Sequence, residues 1–133
     1  MRIASKFIDV RMKGRDRMDA LSVVKDYVKA ACAGDGQSLR ASLADDFQFK
    51  GPMMEAHSAD QFLQAMAAMP TNFTIRNSDF VADSDRVAHL HEVVIDGNET
   101  APIPMCEVLS VHEGKITSSK LFFDTKLFPN PAA

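Results

Sequence analysis

The sequence predicts an α+β fold in which a curved antiparallel sheet wraps around helices. Three observations predict it. Segments with apolar residues at helical spacing are confined to the first half of the chain. From Asn72 onward the apolar period changes to two, with Phe73 and Ile75 alternating with Thr74 and Arg76. The later strands are separated by tight-turn sequences, Asp96-Gly97-Asn98 and Glu113-Gly114-Lys115, which suit a meander rather than crossovers.

Each element follows in order. Leu21, Val24, Val28 and Ala31 recur on one stripe and predict a helix from Met18 to Cys32, with Tyr27 beside the stripe. Ala33-Gly34 ends it, because glycine accepts the left-handed cap. Asp35 is placed to cap a short second helix carrying Leu39 and Leu43. Two helices joined so closely pack as a hairpin. Phe47-Gln48-Phe49 reads as a short strand closed by Gly51-Pro52. Ser58-Ala59-Asp60-Gln61 has capping-box spacing and opens a third helix with Phe62, Met66 and Met69 on one side, stopped by Pro70. A long strand follows from Val87 to Ile95, then one from Met105 to Val111, entered past Pro102 and Pro104, and a last one from Ile116 to Phe123. A meander of long strands curls, and helices on its concave side enclose a conical pocket.

The chain has 133 residues, one domain's length, with 46% apolar and 25% charged residues. Disorder, collagen and coiled coil are excluded on that balance, and no apolar run approaches a membrane span. The net charge of −3 argues against nucleic acid as a partner. Residues 1–17 carry six basic and two acidic side chains, so a basic extension (+4) precedes a domain expected over 18–128, with a tail over 129–133. The apolar residues of the extension are interrupted by charges, so it does not read as a secretory signal. Cys32 and Cys106 form no Cys-x-x-Cys pair, and two buried thiols in a reducing cytoplasm are expected.

The candidate chemistry is sparse. His89 and His91, two apart on a strand, share a face. They are general acid/base candidates, or structural fillers, or two ligands of a metal with Glu107 as a third. Glu107 sits in an apolar strand. Facing inward, with Met105 and Leu109, it would have its pKa raised by burial; facing outward, it is an interface residue. Tyr27 is the only tyrosine and there is no tryptophan, so it is either a hydroxyl donor in a pocket or a packing residue with its hydroxyl at the surface. Phe49, Met53, Phe62, Met66, Met105, Leu121 and Phe123 are the expected apolar lining, with Met53-Met54 at the mouth. His57 and His112 are expected to be exposed. No phosphate loop is present.

Three segments carry a resemblance: Asp26-Tyr27-Val28-Lys29-Ala30-Ala31-Cys32-Ala33-Gly34-Asp35, then Leu43-Ala44-Asp45-Asp46-Phe47, and Gly114-Lys115-Ile116 running into Phe122-Phe123-Asp124. They resemble the nuclear-transport-factor-2-like superfamily, including SnoaL-like polyketide cyclases, ketosteroid isomerases and limonene epoxide hydrolases. The resemblance implies a cone-shaped, cystatin-like α+β barrel that holds a small organic ligand without a cofactor, and often a homodimer through the sheet face. The isomerases' oxyanion tyrosine falls on Tyr27. Their aspartate base falls on Gly51, and their protonated acid falls on Cys106 or Glu107. The hydrolases' Arg-x-Asp pair falls on His89 and His91, their last-strand aspartate on Leu121, and the cyclase aspartate near Leu121. The resemblance thus implies small-molecule binding with isomerase, cyclase or hydrolase chemistry carried by Tyr27, His89, His91 and Glu107, or a non-catalytic dimer module whose aspartates have been lost.

Overall fold

A computed structural model of the chain describes residues 19–69 and 72–129. The basic extension expected over 1–17, the Met18 helix start, the Pro70 stop and residues 130–133 lie outside the described residues. Helix α1 spans Ala20–Ala33; the Asp19 side chain accepts from Ser22 N, and Gly34 closes it at φ 67°. Its buried face carries Val23, Val24, Tyr27 and Val28. Leu21 and Ala31, expected on the stripe, are half-buried beside it. Helix α2, Gly36–Ala41, is capped by Asp35 as the sequence predicts.

Strand β1, Leu43–Lys50, begins four residues earlier than expected. Leu43 belongs to this strand and not to α2, because Ser42 O accepts from Ile116 N and Leu43 pairs with Ile116 in parallel. Arg40 braces this corner, donating to Asp45, Asp60 and the Leu43 carbonyl. Gly51 N donates to Met54 O, turning the chain into the two-residue strand β2, Glu55–Ala56. Helix α3, Ala59–Ala67, is capped by Ser58, which accepts from Gln61 N. The Gln61 side chain accepts from His57 N at 2.6 Å, one residue short of the reciprocal bond in a full capping box.

Strands β3 (Phe73–Asp83), β4 (Arg86–Ile95), β5 (Ile103–His112) and β6 (Lys115–Phe122) form the antiparallel meander. The six-stranded sheet has the order β2-β1-β6-β5-β4-β3. Its ends do not meet, so it is a curved open sheet rather than a closed barrel. The two-residue hairpin at Glu113-Gly114 has both residues at positive φ, which matches the twist of β5 and β6. A 3-10 turn, Thr125–Leu127, follows β6.

Two one-residue register shifts decide what faces inward. In β3 the pairing passes from Arg76↔Glu92 to Asp79↔Leu90, so inward residues change from Phe73 and Ile75 to Phe80. In β6 it passes from Val111↔Ile116 to Ser110↔Ser118, so Ser119 and Leu121 join Ile116 on the inner face. The buried core is in two parts. One, around Val24, Phe47, Phe62, Leu109 and Ile116, joins α1 and α3 to the sheet. The other, Val93, Ile95 and Ile103, lies toward the far end of β4 and β5.

Candidate active site

A cavity of about 420 Å³ opens on the concave side, where both core clusters contribute wall residues. All seven expected lining residues (Phe49, Met53, Phe62, Met66, Met105, Leu121 and Phe123) border it. Met53 is 59% exposed and sits at the mouth. Met69, Ile95 and Phe128 also line it. Sequence reasoning missed Phe128 because it follows the last strand. Among the described residues, the only titratable side chains on the wall are Tyr27, His91 and Glu107.

Glu107 faces inward with Met105 and Leu109, and Cys106 faces the other side, half-buried. That settles which penultimate-strand residue meets the cavity. Tyr27 Oη donates to Glu107 Oε2 at 3.2 Å, and Ser119 Oγ to the same oxygen at 2.5 Å. Tyr27 is thus not a packing residue with a surface hydroxyl. Burial pushes the Glu107 carboxyl above the usual carboxylate range, against the pull of the two hydroxyl donors. Burial first, then the Glu107 charge and hydrogen bond, hold the Tyr27 phenol well above its ordinary value. Tyr27 is therefore a protonated donor at neutral pH. Sequence reasoning did not single out Ser119, although it lies two residues before Leu121 and shares its face.

The two histidines part company. His91 lines the cavity, and its Nδ1 lies 3.1 Å from the His89 carbonyl. A carbonyl only accepts, so Nδ1 carries the proton. Burial lowers the pKa of His91, with the carbonyl bond opposing, so the ring is neutral and Nε2 holds a free lone pair. His89 does not border the cavity, contrary to its assignment among the catalytic residues. It is fully buried in a stack, 4.5 Å from the Phe80 ring and 4.0 Å from His91, with Lys25 over the outer face of Phe80. The β3 bulge swings Ser78 to His89 Nε2 at 2.8 Å, while Nδ1 has no partner. An unpaired buried acceptor costs less than an unpaired donor, which favours the tautomer with the proton on Nε2. Burial, then His91, lowers the His89 pKa to about 4.

The metal arrangement of His89, His91 and Glu107 does not form, and no cluster of three metal-ligating side chains occurs among the described residues. Stacked imidazoles do not converge their nitrogens on one point. Cys32 is exposed rather than buried, because it lies past the inward stripe at the end of α1. His57 and His112 are exposed as expected. No helix among the described residues is long and apolar enough to cross a membrane.

The family model of the SnoaL-like domain matches residues 24–119. The chain belongs to the SnoaL-like family. The fold of this SnoaL-like domain recurs in solved structures of the nuclear-transport-factor-2-like superfamily. One is an NTF2-like protein of unknown function from Cytophaga hutchinsonii, 19% identical, covering 80% of this chain and 91% of that one at TM-score 0.71. A provisional ketosteroid isomerase from Kribbella flavida is 15% identical, with 87% and 85% covered at TM-score 0.74. TerC, co-crystallised with polyporic acid, is 15% identical, with 82% and 94% covered at TM-score 0.74. At these identities the likeness is one of fold. None of the curated proteins matches this SnoaL-like domain in sequence. Gly51 and Leu121, where the resemblance puts the isomerase and hydrolase carboxylates, both border the cavity.

Proposed function

We propose that this SnoaL-like domain binds a small, largely apolar organic ligand in the conical cavity, with a ligand carbonyl oxygen at the Tyr27–Glu107 end. The chemistry we assign is general acid/base catalysis of the isomerase, cyclase or hydrolase kind. One observation carries this reading. A carboxyl held by two hydroxyls opens onto a cavity whose other walls, His91 apart, are apolar. Such a cluster costs desolvation that an apolar core would not. In a pocket it supplies the few convergent polar groups that orient a ligand. That TerC was crystallised with polyporic acid is in keeping with a fold that takes small organic molecules.

His91 Nε2 takes the part of the base. It accepts a proton from the ligand carbon beside the carbonyl, and the charge left on the ligand oxygen is held by the Glu107 carboxyl, which the Tyr27 and Ser119 hydroxyls brace. Return of that proton from His91 to another ligand atom gives an isomer. His89 supports His91 through the stack and its carbonyl. We assign a homodimer through the outer sheet face, where Leu90 and Phe122 are exposed at 42% and 55%.

The test uses 1-tetralone, a neutral bicyclic ketone. Tyr27 is the sole tyrosine and there is no tryptophan, so protein fluorescence reports this site alone. Tetralone is expected to change it saturably, and the protein to speed exchange of tetralone's α-protons with deuterated water. His91→Ala should lower that exchange by about 10²-fold or more. Unchanged fluorescence, or exchange indifferent to His91→Ala, overturns the corresponding part of the reading.

A further inference from the structure

Both hydrogen bonds to the Glu107 carboxyl fall on one oxygen. Ser119 Oγ lies 2.5 Å and Tyr27 Oη 3.2 Å from Oε2. Neither hydroxyl has another hydrogen bond among the described residues, and Ser119 is 1% exposed. Among the described residues Oε1 makes none, yet it is not sealed in: the one closed-off, unpartnered side-chain atom there is His89 Nδ1. Oε1 is therefore the oxygen Glu107 shows to the cavity.

With all three groups neutral there are three O–H protons to place. If Oε2 carried the acid proton and gave it to Ser119 Oγ, the Ser119 proton would have no acceptor in a buried place. That is the arrangement buried hydroxyls avoid. If Ser119 and Tyr27 both donate to Oε2, each buried proton is used, and the third sits on Oε1, where the cavity can supply its acceptor. Among the described residues, no cation faces the carboxyl from the cavity wall to favour the ionised form.

We propose that Ser119 is a positioning residue of this site: by donating to Oε2 beside Tyr27, it fixes Oε2 as the carbonyl oxygen of Glu107 and leaves the acid proton on Oε1, the oxygen facing the cavity. Glu107 then presents a donor of fixed direction, and Tyr27 acts through it. This rests on the reading of the cavity as a ligand site only for its use, not for its geometry. Alternation counted from the buried Ile116 would face Ser119 outward. The β6 register shift turns it in, so that shift is what builds the donor.

Infrared difference spectroscopy of protein labelled with 13C at the glutamate side-chain carboxyl tests it without a ligand. Wild type is expected to show a neutral-carboxyl C=O band that Glu107→Gln abolishes. Ser119→Ala removes one of two hydrogen bonds to that C=O and should move the band to higher frequency. Tyr27→Phe, which preserves the ring, should move it the same way, and Ser119→Thr should restore the wild-type position. A band that ignores Ser119→Ala and Tyr27→Phe, or no such band at neutral pH, overturns the proposal. Adding 1-tetralone separates the two claims. A band that responds to Ser119→Ala in a protein that never binds tetralone upholds Ser119 and sinks the ketone reading. Tetralone binding with an indifferent band does the reverse.

Discussion

His89 shows how a buried titratable side chain couples stability to pH. Unfolded, its imidazole titrates near 6.5; folded, burial and the neighbouring His91 bring it to about 4. The folded state thus binds fewer protons than the unfolded state between those values. Stability from this group is whole above about pH 6.5 and is lost as pH falls toward 4, on the order of 3 kcal/mol in all. His91, shifted the same way, adds to the slope. Glu107 acts in the opposite sense: its raised pKa favours the folded state at low pH, an advantage lost as pH rises through the folded value. Urea midpoints at pH 7, 6, 5 and 4.5 should fall steadily for wild type. His89→Phe keeps the stack on Phe80 and should remove much of that slope. An equal slope in the variant means another group controls acid unfolding. The sequence showed that His89 and His91 share a face, but not that the cavity ends between them. That boundary is set by Phe80, which the β3 bulge turns inward to cover His89.

At the scale of elements, the helices and the meander were legible because caps, glycine and period-two patterns are local. What was not legible depends on partners distant in sequence. Leu43 reads as helical until Ile116 pairs with it. Strand β2 is too short to carry a pattern. Ser119 faces inward by alternation from Leu121 but outward by alternation from Ile116, and only the register shift between them decides. The end of β1 carries a further constraint. A Cβ on Gly51 would lie 3.1 Å from Phe49 Cε2, 3.2 Å from its Cζ and 3.6 Å from Leu121 Cβ. Phe49 in turn packs on Phe62 with ring centroids 4.9 Å apart. A side chain at Gly51, where the resemblance puts the isomerases' base, would thus meet an aromatic ring. Gly51→Asp should cost about 1–3 kcal/mol by overpacking, measured by urea unfolding. Phe49→Leu, made with it, should relieve part of that cost, giving a non-additive double-mutant cycle. Additive costs would mean that the Phe49 ring yields freely.

At the scale of the whole molecule, the concave face is committed to helices and cavity, which leaves the outer face to explain. Register places Leu90, Cys106 and Phe122 in one outward row across β4, β5 and β6. Val81, Ala88 and Val108 form the next row, which ends at Lys120 and Lys50. Val81, Leu90 and Phe122 are 59%, 42% and 55% exposed, an apolar patch of the kind that marks an interface. The patch is flanked unevenly, by Asp79 and Asp83 on the β3 side and by Lys120 and Lys50 on the β6–β1 side. Asp79 and Lys120 make no ion pair among the described residues. A two-fold axis that brings two such faces together must lie in the plane between them. An axis across the strands sets like charges over like. One along the strands sets the aspartates of one copy over the lysines of the other, and this is the dimer the charges select. Sedimentation at micromolar concentration should show a dimer, and Phe122→Glu should give a folded monomer. Lys120→Asp should weaken the dimer at low salt, and Asp79→Lys made with it should restore it, because the reversed pair is complementary again. A wild-type monomer removes the dimer; a dimer that survives Phe122→Glu places its interface elsewhere. A dimer in which the double reversal fails to rescue has its axis across the strands.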